Sequence, residues 1–257
     1  MEFVKYSTEN KICCITISRA EKRNALNSQV VTELKEAFKK AESDEQVKVI
    51  VLTGEGDVFC AGADLEYLQT LQKNTYEENL ADSKNLMELY YQIYTLKKVV
   101  VAQVNGHAVA GGCGLVSVCD FAYSVREANF GYTEVRIGFI PAIVSVFLVK
   151  KIGEARSREM LLSGEIYSSK TAQHFGLINH VVEDEDLSTV VNEFCEKLII
   201  NNSASSMELT KKMLADIFAM DVKDALDYAA ESNAKARNTE DCKKGIAAFL
   251  KKEKPLW

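Results

Sequence analysis

The chain has 257 residues, 47% of them hydrophobic and 26% charged, which suits one large core and excludes a disordered, collagenous or coiled-coil chain. A formal net charge of −6 gives no basic footprint for nucleic acid or an anionic membrane, leaving at most a local basic patch for a small anionic ligand. The seven cysteines (Cys13, Cys14, Cys60, Cys113, Cys119, Cys195, Cys242) include no C-x-x-C pair and lie mostly in apolar runs, so they read as reduced core thiols and not as a disulfide framework or metal site.

The amino-terminal MEFVKYSTENKICC has no basic region followed by a long apolar stretch, and no segment reaches the roughly 18 apolar residues a membrane span needs. The expectation is a cytoplasmic protein with no membrane partner. KICCITIS (11–18) is short and β-branched and predicts a strand, followed by the polar connection RAEKRNALN. In SQVVTELKEAFKKAES, Val30, Leu34, Phe38 and Ala41 recur at helical spacing, with Asn27 or Ser28 available as cap. VKVIVLTG (47–54) is nearly continuously apolar, as a strand buried on both faces should be.

The loop EGDVFCAGADL ends that strand, a helical region follows over about 76–97, and VVVAQVN (99–105) predicts the next buried strand. Strand, loop, helix and strand in this order imply βαβ units and a parallel sheet. FAYSV (121–125) and ANFG (128–131) predict short strands. PAIVSVFLVKKIG (141–153) predicts an apolar helix with Pro141 in its first turn and Gly153 near its end. The last third is helical by spacing, and its helices are expected to pack on the same body or on a neighbouring subunit.

GHAVAGGCG (106–114) follows a buried strand yet fits neither G-x-G-x-x-G nor a phosphate loop, because Gly112-Cys113-Gly114 is followed by Leu115, Val116 and Ser117. A helix that starts among small residues leaves backbone N–H groups free to face an electron-rich oxygen. CAGADL (60–65) also follows a buried strand, where a parallel sheet offers its strand ends to ligands. Donors from both loops converging on a thioester carbonyl would stabilise charge building there, each worth about 3 kcal/mol of barrier. The same spacing also fits two tight turns where helix packs on strand.

FCAGADL, VNGHAVAGGCGL, CDFAYS, ANFGYTEVRIGFIP and LLSGEIYSSKTAQHFGLINHVV occur in that order. Together they resemble the enoyl-CoA hydratase/isomerase (crotonase) superfamily, from RAEKRNALN to GIAAFLKKEKP. The resemblance implies an α/β fold, a spiral of ββα turns over 1–200 with a helical carboxy-terminal region over 201–257 that makes homotrimers, often paired into hexamers. It implies an acyl-CoA substrate with no separate cofactor and no metal, oxyanion amides at Ala63 and Gly111, and a catalytic carboxylate at Glu134. It also implies that the adenine rests on Ala61 to Leu65, Asp64 included, that Lys22 and Arg23 lie near the phosphates with Ala25 also binding substrate, and that Lys251, Lys252 or Lys254 reach a neighbouring subunit's ligand.

Typical hydratases of that family carry a second glutamate where this chain has Gly114. Hydration divides conveniently between two carboxylates, whereas moving a double bond needs one base and an oxyanion hole, so carboxylate counting alone favours an isomerase. TEVRIGFIPA and AGGCGL instead resemble hydratases of branched or carboxylated enoyl-CoA, such as 3-methylglutaconyl-CoA hydratases of leucine breakdown. One carboxylate can serve hydration if it takes a proton from water and returns one to Cα, and Gly114 would leave room for water or a branched acyl group. Arg136 offers a guanidinium suited to a substrate carboxylate, or else a solvated ion pair.

Glu134, among Phe130, Ile137 and Phe139, is expected to have a raised pKa. His107 is a candidate for the acyl pocket or a turn residue, Asp64 and Asp120 are candidate caps, and Tyr132 either orients water or packs. Cys60 and Cys113 read as small apolar fillers beside the proposed amide donors. The leading function is hydration of a 2-enoyl-CoA; an enoyl-CoA isomerase and a non-catalytic acyl-CoA- or RNA-binding relative are the alternatives.

Overall fold

The computed structural model spans residues 1–257, with the side chain of Leu65 outside the described residues. Strands β1 (Val4–Glu9) and β2 (Ile12–Ile17) form an antiparallel hairpin. The turn places Asn10 and Lys11 at φ of 50° and 67°, the left-handed pair that matches strand twist. The sequence reading began at residue 11 and missed β1, whose outward Lys5, Ser7 and Glu9 dilute its apolar signal. Helix α1 (Ser28–Ser43) starts where the Asn27 side chain accepts from the Val30 N–H at 2.9 Å, and it buries Val30, Val31, Leu34, Ala37, Phe38 and Ala41. Burying each of the larger of these stabilises by about 1.5–3 kcal/mol.

Three consecutive turns of a spiral follow. The first is β3 (Val49–Gly54), β4 (Val58–Cys60), α2 (Leu65–Leu71) and α3 (Tyr76–Thr95); the second is β5 (Val99–Val104), β6 (His107–Val109) and α4 (Gly111–Val118). The third is β7 (Phe121–Val125), β8 (Asn129–Gly131) and α5 (Ala142–Ser163). Each turn gives its first strand to one sheet and its second to another. With β9 (Ile166–Ser168) and β10 (His180–Val182) added, the sheets run β1-β2-β3-β5-β7-β10 and β4-β6-β8-β9. Pairing is parallel from β2 through β10 and from β4 through β8, so the strand ends of both sheets carry the loops that follow them on a common side.

Helix α5 is two helical segments that meet at Gly153, where the sequence places the end of the first. At Gly153 the backbone leaves helical geometry (φ 77°, ψ 166°), so the first segment stops there and a second segment runs on to Ser163 at a kink. After α6 (Ser169–Phe175) and α7 (Leu187–Asn201) come α8 (Ala204–Ile217), α9 (Val222–Arg237) and α10 (Glu240–Leu250). The ββα spiral and the helical carboxy-terminal region expected from the sequence are both present.

One buried cation pins that region to the spiral. Lys211 of α8 donates to Asp120 Oδ2 at 2.7 Å and to the carbonyls of Ile93 and Lys98 at 3.1 and 3.0 Å. Asp120 also accepts the Val100 N–H at 2.7 Å, so it is committed to structure and not to a ligand. At the far end of α4, Lys151 donates to the Cys119 carbonyl at 2.6 Å, a cation placed at the negative end of the helix. No helix among the described residues is long and apolar enough to cross a membrane.

Candidate active site

The loop after β4 is stitched to the segment before α1 by three backbone hydrogen bonds. Ala61 N–H donates to the Arg23 carbonyl at 3.1 Å, Leu26 N–H to Gly62 at 2.7 Å, and Asp64 N–H to Leu26 at 2.9 Å. Leu26 and Ala63 thus pair as in a parallel ladder, in which the paired residue's own N–H and C=O point away from the partner strand. Ala63 is exposed, and its N–H is turned off the 23–26 segment. Asn24, fully buried, holds that segment in place: its Oδ1 accepts from Arg19 N–H at 3.0 Å and its amide donates to the carbonyls of Glu55 and Val58 at 2.9 and 2.6 Å.

Helix α4 starts directly beside this loop. A Cβ built on Gly62 (φ 92°) would lie 2.8 Å from Ala110 Cβ and 3.6 Å from the Gly111 nitrogen, so only glycine lets the two loops meet. As the first residue of α4, Gly111 has an N–H with no carbonyl one turn back to receive it. Ala110, before it, is held at φ 50°, ψ −122°, a conformation that costs a non-glycine residue about 1–3 kcal/mol and is over-represented at functional sites. The Ala110 N–H is committed to the Gly131 carbonyl at 2.7 Å. Tyr90 of α3 closes the other side of the first turn, donating its hydroxyl to the Gly111 carbonyl at 2.7 Å.

Three residues beyond Gly131, Glu134 opens a single 3-10 turn (Glu134–Ile137) that ends at left-handed Gly138. Phe139 N–H donates to the Glu134 carbonyl at 3.0 Å, which fixes the turn's exit. The carboxylate is half-buried, its Oε2 has no hydrogen-bond partner among the described residues, and burial pushes its pKa above the ordinary glutamate range despite a bond from its own N–H. Its charge also adds to the upward shift that burial imposes on the Tyr90 phenol and the Cys113 thiol, which places it in their neighbourhood.

Other residues singled out in the sequence fall into place unevenly. Asp64 turns inward: Oδ2 pairs with Arg19 at 2.6 Å, and Oδ1 caps α2 by accepting from Glu66 N–H at 2.9 Å. Burial raises its pKa, but Arg19 and the capping amides more than offset this and hold the carboxyl below the usual range. The cap expected of Asp64 is present, with its carboxylate engaged by Arg19 and the first turn of α2. Ala25 is buried and its carbonyl accepts from Arg19 at 3.1 Å, Ala61 is partly buried, and the assignment of Leu65 lies outside the described residues. Lys22 pairs with Glu66 at 2.6 Å across the mouth of the loop, and Arg23 stands exposed beside it.

His107 Nδ1 accepts from Asn129 N–H at 3.2 Å, which makes it part of the β6–β8 seam. Tyr132 is fully buried, so its hydroxyl does not reach open solvent. Burial pushes the Cys60 and Cys113 thiols up to about 12, which suits fillers and not nucleophiles. Lys251, Lys252 and Lys254 are exposed beyond α10. A cavity of about 930 Å³ lies elsewhere, between the far end of α4, α5 and α8 to α10, lined by residues such as Cys119, Phe147, Lys151, Met207 and Trp257.

The family model described as enoyl-CoA hydratase/isomerase matches residues 7–257. The chain belongs to the enoyl-CoA hydratase/isomerase family. It is 38% identical to a Thermus thermophilus protein named "Putative enoyl-CoA hydratase", covering 95% of this chain and 96% of that one. It is 31% identical to the crotonyl-CoA hydratase of Syntrophomonas wolfei, over 96% of this chain and 94% of the relative. The crystal structure of an enoyl-CoA hydratase from Mycobacterium smegmatis superposes with a TM-score of 0.93 at 28% identity, covering 99% and 98% of the two chains.

Against that family background, Gly114 corrects a further expectation. Its missing side chain leaves no room for water or a branched acyl group, because a Cβ there would lie 2.9 Å from Tyr90 Oη and 3.1 Å from Tyr90 Cζ, with Val144 Cγ1 closer still. Arg136 is exposed, and a Cβ on Gly164 would lie 3.2 Å from its Cγ and 3.4 Å from its Nε, so its stem rests on the end of α5. Sequence spacing gave no hint of Asn24, Ala110 or Tyr90. Tyr90 sits on an ordinary apolar helix face, and its hydroxyl matters only because of where α3 lays it.

Proposed function

We propose that the protein hydrates 2-enoyl-CoA thioesters, with Ala63 and Gly111 N–H groups receiving the thioester oxygen and Glu134 as the single acid/base. The observation that carries this reading is the half-buried Glu134 Oε2, left without a partner among the described residues and raised in pKa by burial, in a chain whose helix α4 opens on a free Gly111 N–H. Water attacks Cβ as Glu134 takes its proton, and the π electrons pass through Cα to the thioester oxygen, where the two amides stabilise the charge. Glu134 then returns the proton to Cα, giving the 3-hydroxyacyl-CoA. Amides of this kind contribute about 3 kcal/mol each, and a positioned base about 10²–10⁴-fold.

The acyl group is read as uncharged. Ile137, Phe139 and Ile140 follow Glu134 as an exposed apolar run, and Arg136, the candidate for a distal carboxylate, rests on the end of α5. This favours plain or branched aliphatic chains over 3-methylglutaconyl-CoA. Lys22 and Arg23 supply the cationic edge for the phosphates. An enoyl-CoA isomerase using the same three positions is the rival, supported by the lack of a carboxylate at residue 114. Incubation with a 2-enoyl-CoA and, separately, a 3-enoyl-CoA decides between them: 3-hydroxyacyl-CoA from the former is expected, and isomerisation of the latter without any hydroxyacyl product would overturn hydration.

A further inference from the structure

Tyr90 is the point where α3 touches the reacting end of α4. Its ring is fully buried, set edge-on to Phe147 with centroids 6.3 Å apart at 87°, so its position is fixed by packing. Its hydroxyl donates to Gly111 O at 2.7 Å and lies 2.9 Å from where a Cβ on residue 114 would be. One phenol therefore holds the first peptide of α4 and fills the space at Gly114. Ala110, just before Gly111, is strained, and a Cβ built on Gly111 would lie 3.1 Å from Tyr90 Oη and 3.2 Å from Leu26 Cδ1. Tyr90 and Leu26 thus both pack where a Gly111 side chain would be; the peptide carrying the Gly111 N–H is held at its carbonyl by the Gly114 N–H at 3.0 Å, and the Tyr90 bond holds the next peptide along.

We propose that Tyr90 is a positioning residue for the Gly111 donor: its hydrogen bond to the Gly111 carbonyl fixes the tilt of the first turn of α4, and with it the direction of the Gly111 N–H. Because this rests on the donor reading of Gly111 given above, its test separates the two. A hydrogen bond to a forming oxyanion is effective only when the donor is already aimed, and loss of a donor altogether costs about 10²–10³-fold in kcat. Loss of the clamp should misdirect the donor without removing it, a smaller effect of about 10-fold, and the ground-state affinity for the CoA portion should be little changed.

The experiment compares wild type, Tyr90→Phe and Val144→Ala in steady-state kinetics and in the absorption spectrum of a bound chromophoric conjugated acyl-CoA, whose red shift reports polarisation of the thioester carbonyl. The expected result for Tyr90→Phe is a kcat lowered about 10-fold with KM within about 2-fold, and a reduced red shift. Val144→Ala, which removes packing and no hydrogen bond, should keep the wild-type red shift even if its melting temperature falls. A Tyr90→Phe protein with the full red shift and kcat overturns the proposal, as does an equal loss of red shift in Val144→Ala. Absence of any red shift in the wild type would instead overturn the donor pair itself. If Tyr90→Phe does not fold, 3-fluorotyrosine at residue 90 keeps the ring and strengthens the phenol as donor; a larger red shift supports the clamp and an unchanged one overturns it.

Discussion

Replacing Gly114 by alanine adds one methyl group to a fully buried helix whose neighbours already occupy the space. The added carbon would sit 2.9 Å from Tyr90 Oη and nearer still to Val144 Cγ1, where ordinary contacts need well over 3 Å, and Val144 is 4% exposed with no solvent to move into. Overpacking of this kind costs about 1–3 kcal/mol. Alanine regains about 0.8–1 kcal/mol of helix propensity, so a net loss of about 1 kcal/mol is expected. Val144→Ala alone should cost about 2 kcal/mol for its two lost methyl groups and the space they leave. In the double variant the new methyl moves into the vacated volume, so the two costs should fail to add by about 1–3 kcal/mol. Urea unfolding of the four proteins measures this directly. Additive costs, or a Gly114→Ala protein stabilised by the full propensity gain, would refute the description of a filled space. Gly114→Glu should be more destabilised than Gly114→Ala and should gain no hydration activity, because its carboxylate would be driven into Tyr90 and Val144.

Glu134→Gln should lower kcat by about 10²–10⁴-fold with the fold intact, checked by enoyl-CoA turnover and circular dichroism. Since burial raises the Glu134 pKa and the deprotonated form is the base, the acidic limb of kcat/KM should rise at a pH above the ordinary glutamate range. Asp64, held below the usual carboxylate range, should contribute stability that is present above its unfolded pKa and lost as pH falls through the depressed folded value; Asp64→Asn should flatten that acid loss in urea titrations at stepped pH. Lys211→Met should destabilise by about 2–4 kcal/mol in thermal unfolding, less than a fully buried pair because the Asp120 side chain retains 24% exposure. Ala110→Gly should raise stability by about 1 kcal/mol by relieving the positive φ, read as a higher melting temperature.

The long elements were legible because their physics is local. The apolar runs of β3 and β5 could be nothing but strands buried on both faces, and the spacing of α1 together with Asn27 marked both its face and its start. The short strands β4, β6 and β9, three residues each, carry too few residues for any period to show; they exist because each is paired with a neighbour the chain reaches only after a full turn of the spiral. Gly153 was legible as a helix end because a positive-φ glycine is a usual stop, but nothing in the sequence showed that a second helical segment begins directly after it. At the site, the positions of Ala63, Gly111 and Glu134 could be taken from motif order. What surrounds Gly114 could not, because Tyr90 lies 24 residues away on another helix and no pattern in either segment refers to the other.

The proposed donors hang from the ends of β4 and β6, adjacent parallel strands of one sheet. Neighbouring strands are held about 4.7–4.9 Å apart by their backbone ladder whatever their side chains are. Their separation is therefore inherited from peptide geometry, and mutation of the surrounding side chains leaves it largely untouched. On the proposed reading, a sheet of this kind offers a fixed frame for the two donors, on which the acid/base group, the acyl wall and the outer edge can be exchanged one residue at a time. Sequences can then diverge to the 25–38% identities seen among the relatives and solved structures without rebuilding the part that is hardest to evolve.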